Sequence, residues 1–141
     1  MCLKVFVSGD QKKYVELKDY AKKLGSAFQK INFLRDMGSD FNKLGRTYFP
    51  GIDFDKFNDK LKSQIEKDIN LDFVKGYEGI KKLPKQVRGG VLLAYTYYIE
   101  LFEKIKNQSA KKVQSNRIRV SNFKKLLLLI ECRIRNYFDF L

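Results

Sequence analysis

The sequence predicts an all-α protein, an antiparallel helix bundle that forms one domain over residues 1–141. Apolar residues recur with the three-to-four spacing of amphipathic helices through most of the chain. No segment of useful length shows the alternation that a half-buried β-strand requires. Hydrophobic residues make up 44% of the chain and aromatic residues 14%, so the helices carry enough apolar surface to build a core.

The first part of the chain predicts a short element and then a long helix. Residues 1–7 are apolar at most positions and lack a preceding cap, and Ser8-Gly9-Asp10 ends this element. Apolar side chains then fall on one face from Gln11 to about Phe41, which predicts a helix over that range. The segment 48–51, Tyr-Phe-Pro-Gly, has turn chemistry and ends the connection that follows.

The second part predicts two more helices. The range 53–77 is charged on one side and apolar on the other, where it carries Phe54, Phe57, Leu61, Ile65, Ile69 and Phe73. Pro84 suits the first turn of the next helix, which reaches about Lys106. The middle of that helix, "VLLAYTYYIELF", is apolar nearly all round, so we expect it to be central.

The end of the chain predicts a loop and a last helix. Residues 107–116 are polar and are interpreted as the loop, after which Ser121 can cap a helix to Phe140. The run 126–130, with Ile134, Phe138 and Leu141, is interpreted as core, because it is far too short to span a bilayer.

Charge and residue usage limit the function. Twenty-nine Lys and Arg against 16 Asp and Glu give a net charge of +13, which favours nucleic acid, acidic lipid or phosphorylated ligands. The chain has no histidine, which excludes Ser-His-Asp and Cys-His catalysis and His-ligated zinc. Cys2 and Cys132 are isolated, so a disulfide framework is not expected and a reducing cytoplasm fits better.

Four oxygen-bearing side chains share one narrow stripe of the long helix: Gln29, Asn32, Asp36 and Asp40. Carboxylates one turn apart repel each other, and a divalent cation would reverse that effect. Two carboxylates and an amide suit Mg²⁺, which keeps several waters and often bridges to phosphates. The alternative is that both aspartates are solvated surface residues that balance nearby lysines.

The segment "LGSAFQKINFLRDMGSDFNKLGRTYFPG" resembles the second aspartate-rich signature of the squalene and phytoene synthases. That signature runs LG-x-x-x-Q-x-x-N-x-L-R-D-x-x-x-D and then G-R-x-Y-x-P, and the match covers Leu24 to Pro50 almost without a break. Further along, "AYTYYIELFEKI" resembles a late helix of the family, and "RIRVSNFKKLLLL" resembles its closing R-x-x-V-[PS]-x-x-x-K segment.

The resemblance implies an isoprenoid-synthase-type fold and an enzyme that condenses two prenyl diphosphates, farnesyl or geranylgeranyl, head to head. Such a transferase serves isoprenoid or carotenoid biosynthesis, with Mg²⁺ assisting the first diphosphate to leave. NADPH would be needed only if squalene were the product. A weak peripheral membrane contact would suit greasy products.

The resemblance also implies site roles. Asn32, Asp36 and Asp40 would hold Mg²⁺, and the two aspartates would be catalytic. Gln29 would line the prenyl diphosphate pocket. Four more residues would contact or orient diphosphate: Arg35, Tyr48, Tyr98 and Arg117. Without the resemblance, the two arginines could equally be surface charges, and Tyr98 could equally be core.

The family pattern needs two aspartate-rich motifs, and the residues before Asp36 hold no other D-x-x-x-D. We therefore expect the chain to be a C-terminal half with little activity alone, which pairs with a separately encoded N-terminal half or with a second copy. Two other functions remain open. One is a basic all-α nucleic-acid-binding protein, although Lys and Arg are spread over every helix. The other is a helical interaction module without catalysis.

Overall fold

A computed structural model describes residues 2–44, 57–115 and 117–138, with side chains except at 39–44, 136 and 138. Over these ranges the backbone forms helices and no strand, which confirms the all-α prediction. The helices are α1 Cys2–Phe6, α2 Gln11–Leu44, α3 Asp59–Lys81, α4 Lys85–Lys106, α5 Ala110–Ser115 and α6 Asn122–Phe138.

Several predicted boundaries are confirmed by their capping contacts. Helix α2 begins at Gln11, where Oδ1 of Asp10 accepts hydrogen bonds from two backbone amides of its first turn. Helix α4 ends at Lys106 as predicted, and the Asn107 amide donates to the carbonyls of Glu103 and Ile105, whereas Pro84 lies at the N-cap, one position before the predicted first turn. Ser121 caps α6, since its Oγ accepts a hydrogen bond from the Lys124 amide at 3.4 Å.

Two boundary predictions are wrong. The polarity of the segment 107–116 predicts a loop, but the segment contains α5, whose Ala110 and Val113 are buried in the core. Helix α3 continues past the predicted end at residue 77 to Lys81, and Asn58 caps its start by accepting from the amide of Leu61 at 2.9 Å. The predicted residues 53–56 lie outside the described ranges.

Helices α2 and α3 form the main interface of the core. The apolar faces that interlock there include Leu24, Ala27, Ile31, Leu34, Ile65, Ile69 and Phe73. Two glycines of α3 allow the close approach, because a Cβ on Gly76 would lie 3.0 Å from the Leu24 Cβ, and one on Gly79 would collide with Tyr20. The described residues of the apolar stripe predicted for the range 53–77 are all buried or half-buried: Phe57, Leu61, Ile65, Ile69 and Phe73.

Helix α4 contacts α2, α3 and α6, as expected for a central element. Helix α6 packs on α4 through Leu128 and Cys132, which are buried one turn apart. The prediction that the run 126–130 is core is therefore wrong for most of its members: Leu126, Leu127, Leu129 and Ile130 are exposed, as is Ile134. A helix that meets one neighbour buries only the residues on that side. No described helix is long and apolar enough to cross a bilayer.

Candidate functional site

Asp36 lies at the centre of the candidate site, in the second half of α2, with its side chain 20% exposed. Arg35 binds it with two donors: Nε donates to Oδ1 at 3.0 Å, and a terminal nitrogen donates to Oδ2 at 2.5 Å. Arg117, from the segment between α5 and α6, places its Nε 2.9 Å from Oδ1. The fold thus brings together three residues that the sequence predicted for one site.

The described side chains that contact Asp36 are cationic and could bind an anion. The hydrogen bond to Asp36 raises the pKa of Arg35, while partial burial opposes the shift, so the guanidinium stays charged. Among the described side chains, one carboxylate contacts two guanidinium groups here. Planar guanidinium donors match the oxygen geometry of phosphate and diphosphate.

Asn32 lies one turn before Asp36 and meets Tyr98 of α4. The Tyr98 hydroxyl donates a hydrogen bond to Asn32 Oδ1 at 3.0 Å. The Tyr98 ring stacks on Phe28 with 4.0 Å between ring centroids and an interplanar angle of 15°. Tyr98 is half-buried and packs against the core with its ring, while its hydroxyl fixes Asn32, a residue of the predicted metal-binding stripe.

The roles of all the predicted site residues remain predictions, and for three of these residues the described part of the structure shows no contact with the group around Asp36. Asp40 lies in α2 one turn beyond Asp36, but its side chain is outside the described part of the structure. Tyr48 falls outside the described residues altogether. Gln29 lies one turn before Asn32 on the same stripe, and its side chain is exposed.

The oxygen types near Asp36 are those that a hard cation prefers, but both Asp36 oxygens contact arginine nitrogens here, so a cation at Asp36 would require those contacts to open. Asp36 and Asn32 offer carboxylate and amide oxygens one helical turn apart, which are the ligand types that Mg²⁺ prefers. Across the described residues, no group of three or more His, Cys, Asp or Glu side chains is arranged to hold a metal. A Mg²⁺ ion at this place would therefore depend on Asp36, with Asn32 and the predicted ligand Asp40 beside it.

An apolar cavity of about 710 Å³ lies between α1, α2, α3 and α4. Most of its wall residues are aliphatic, aromatic or glycine, among them Phe6, Tyr20, Gly25, Phe28, Val87 and Gly90, and Cys2 and Gln86 complete the lining. Phe28 both lines this cavity and stacks on Tyr98. The ring pair thus lies between the cavity and Asn32, and none of Arg35, Asp36 and Arg117 lines the cavity.

The family model described as squalene/phytoene synthase matches residues 1–124. The chain belongs to the squalene/phytoene synthase family. The matched range contains the whole 24–50 signature, Tyr98 and Arg117, and it ends in the first turn of α6. No curated protein and no solved structure gave a match.

This squalene/phytoene synthase family member holds a second carboxylate pair that the sequence analysis missed. Asp68 and Asp72 in α3 also lie one turn apart, so their spacing was visible in the sequence. The Lys30 ammonium contacts both carboxylates, at 2.7 Å from Asp72. Ser26 and Lys23 complete the shell of Asp72, at 2.8 and 2.9 Å. A lysine thus occupies the position between the carboxylates, and the pair links α2 to α3.

Proposed function

We propose that the chain acts in the head-to-head condensation of two prenyl diphosphates, farnesyl or geranylgeranyl, with Mg²⁺-assisted loss of diphosphate. The carrying observation is the contact of Arg35 and Arg117 with Asp36, about two turns along α2 from Phe28, which lines an apolar cavity. This arrangement offers a polar end for a diphosphate and an apolar end for a prenyl chain. Family membership supports the same reaction class.

In this proposal Asp36, Asn32 and Asp40 hold Mg²⁺, which would neutralise the charge that develops on the leaving diphosphate. Arg35 and Arg117 bind the diphosphate oxygens from the other side. Both guanidinium groups lie within hydrogen-bond distance of Asp36, so the carboxylate orients them in the absence of ligand. Tyr98 orients the Asn32 amide through its hydroxyl.

The cavity suits the prenyl chain. Its volume of about 710 Å³ falls in the range of small-molecule sites, whose lining is mostly apolar. Apolar walls exclude water, which would otherwise quench an allylic carbocation. The stacked rings of Phe28 and Tyr98 lie between this cavity and Asn32, where an aromatic face would stabilise positive charge.

We further propose that the 141-residue chain turns over little substrate by itself, because the family's two aspartate-rich motifs act together and the second is the one matched here. Squalene formation would need NADPH as reductant, whereas a phytoene-type product would not. Product analysis with and without NADPH distinguishes the two, and rapid turnover by the chain alone would contradict the low-activity proposal.

Ligand-dependent stability tests the proposed binding function without requiring turnover. The unfolding temperature of the chain is measured with farnesyl thiodiphosphate in Mg²⁺ and, separately, in EDTA. A ligand that binds only the native state raises this temperature by mass action. We expect a rise in Mg²⁺ that EDTA abolishes. No rise in either buffer, or an equal rise in both, would contradict the proposal.

A further inference from the structure

Helix α5 lies directly against the backbone of α2 at Gly38, which is buried. A Cβ atom on Gly38 would lie 2.2 Å from the carbonyl oxygen of Gln114 and 2.7 Å from its carbonyl carbon. Both are main-chain atoms, so no side-chain rotation would relieve the collision. Because unbonded carbon atoms rest at about 3.5–4.0 Å from their neighbours, a larger residue here would push α5 away from α2 by about 1 Å or more.

Further contacts fix the remainder of α5. Oδ1 of Asp59, the first residue of α3, accepts a hydrogen bond from the Ala110 amide at 2.7 Å. Ala110 and Val113 are buried in the core. A helix of six residues has little stability by itself, so these tertiary contacts hold it in place. The contact with Gly38 lies at the other end of α5, because Gln114 is its penultimate residue.

The position of α5 limits where Arg117 can lie. Arg117 comes two residues after the end of α5, and Cα atoms at that separation are at most about 7 Å apart. The chain is fixed again just beyond it, since Val120 is buried and the Arg119 carbonyl accepts a hydrogen bond from Lys104 Nζ at 3.2 Å. Between these two fixed points, Arg117 places its Nε 2.9 Å from Asp36 Oδ1.

The two contacts of this segment with α2 lie on different sides of the helix. Asp36 and Gly38 are two residues apart, which places them about 200° apart around the helix axis. Helix α5 contacts one side of α2, and Arg117 reaches the other. If α5 moved away by about 1 Å, the distance from Arg117 to Asp36 would exceed the range of a hydrogen bond.

We infer that Gly38 is a positioning residue for diphosphate binding, because it lets α5 lie against α2 and thereby holds the Arg117 guanidinium beside Asp36. The inference rests on the proposed function, which gives Arg117 its diphosphate-binding role. Gly38 has no side chain with which to contact a ligand, so its effect on the ligand passes through Arg117. A displacement of about 1 Å at a binding group can cost an enzyme about a hundredfold.

A double-mutant cycle on the full chain tests the inference. The affinity for farnesyl thiodiphosphate in Mg²⁺ is measured by calorimetry for the wild type, Gly38→Ala, Arg117→Gln and the double variant. We expect Gly38→Ala to weaken binding about as much as Arg117→Gln does, by about tenfold or more, and the double variant to bind no more weakly than Arg117→Gln. An equal additional loss in the double variant, or unchanged affinity in Gly38→Ala, would overturn the inference.

Ile69→Ala is the control for loss of stability. It removes a side chain that is 0% exposed and packs between α2 and α3, and it leaves α5 and Arg117 unchanged. We expect this variant to lower the unfolding temperature while the affinity stays within about twofold of the wild type. A loss of affinity in Ile69→Ala equal to that in Gly38→Ala would overturn the inference, because lower stability would then explain both.

Asp59→Ala loosens α5 from its other end and tests the same role should Gly38→Ala fail to fold. Asp59 is exposed, and the substitution removes the acceptor of the Ala110 amide. We expect binding to weaken severalfold in the wild-type background and to stay unchanged in the Arg117→Gln background. Full affinity in Asp59→Ala would overturn the inference.

A measurement without ligand separates this inference from the proposed function. Exchange of the Arg117 Nε–H proton with water is followed by nuclear magnetic resonance, with Arg117→Gln used to assign the signal. We expect exchange at least about threefold faster in Gly38→Ala than in the wild type, because the hydrogen bond to Asp36 is lost. Unchanged exchange would overturn the inference. Faster exchange in a chain whose wild type binds no thiodiphosphate would confirm that Gly38 holds the ion pair and would refute the proposed function.

Discussion

Arg117 and Asp36 form an ion pair, with Arg117 Nε 2.9 Å from Asp36 Oδ1. Arg117 precedes α6, and Asp36 lies in α2, so the fold joins the 24–50 signature to the closing R-x-x-V segment at this contact. Arg35 binds the same carboxylate from the adjacent position. An isolated surface carboxylate would not need two guanidinium partners, and the arrangement is suited to a polyanionic ligand.

Replacing Arg117 with Gln removes one guanidinium from this group. We expect the Mg²⁺-dependent affinity for farnesyl thiodiphosphate to fall about tenfold or more, because charge-assisted hydrogen bonds contribute about 1.5–3 kcal/mol. Calorimetric titration measures the change. Arg119→Gln is the matched control, since it removes the same charge from an exposed neighbour. An equal loss in both variants would show that only net charge matters.

Tyr98→Phe removes the hydroxyl that binds Asn32 and keeps the ring that stacks on Phe28. We expect stability to fall by only about 1 kcal/mol, and the affinity for Mg²⁺ with the thiodiphosphate to fall severalfold, because the Asn32 amide loses its orienting partner. Tyr97→Phe serves as the control on the neighbouring ring. Unchanged metal-dependent affinity in Tyr98→Phe would assign Tyr98 to packing alone.

Two glycine substitutions should change stability in opposite directions. A Cβ on Gly25 meets no atom within 4 Å, so Gly25→Ala should stabilise α2 by roughly 0.5–1 kcal/mol through helix propensity. A Cβ on Gly79 collides with Tyr20, so Gly79→Ala should destabilise the fold by about 1–3 kcal/mol. Urea unfolding of both variants gives the two values. A stabilising Gly79→Ala would show that α2 and α3 are less closely packed.

Asp72 should make stability depend on pH in the acid range. Burial alone would raise the pKa of Asp72, but hydrogen bonds from Lys30, Lys23 and Ser26 more than offset this, so the pKa lies below 3.8. A carboxyl with a lowered folded-state pKa stabilises the fold above its unfolded pKa, and that contribution is lost as pH falls through the folded pKa. The contribution should therefore be complete near neutral pH and disappear below 3.8.

Asp72→Asn tests this pH dependence. The side chain is 1% exposed and contacts two lysines, so we expect the variant to lose about 2 kcal/mol at about pH 6. The difference from wild type should shrink as pH falls to about 3. Asp19→Asn, at an 89% exposed side chain, should show little difference at either pH. A pH-independent deficit in Asp72→Asn would mean that its charge does not stabilise the fold.

Local pattern predicted much of the fold. Helix α2 could be placed from periodicity because its apolar residues repeat over many turns, and Ser121 marked the start of α6 through its chemistry. Helix α5 could not be predicted this way, because six residues give too short a pattern and its stability comes from burying Ala110 and Val113.

The features that could not be predicted from local pattern depend on contacts between distant parts of the chain, which tertiary packing decides. Consecutive apolar residues in α6 lie on several sides of the helix, so the sequence alone does not show which side is buried. The contact with α4 buries Leu128 and leaves Leu127 exposed. The pairing of Arg117 with Asp36 also depends on the whole fold, so the sequence suggested it through the family signature rather than through spacing. The D-x-x-x-D spacing of Asp68 and Asp72 likewise does not show that the Lys30 ammonium contacts both carboxylates.

Metal-dependent ligand binding at Asp36 tests the central claim most directly. Farnesyl thiodiphosphate is titrated calorimetrically into the wild type, Asp36→Asn and Asp19→Asn, each with Mg²⁺ and with EDTA. Both substitutions remove one negative charge, but only the first removes the carboxylate that Arg35 and Arg117 contact. We predict binding by the wild type and Asp19→Asn in Mg²⁺, and none by Asp36→Asn or in EDTA. Equal binding by Asp36→Asn, or binding that persists in EDTA, would contradict the claim.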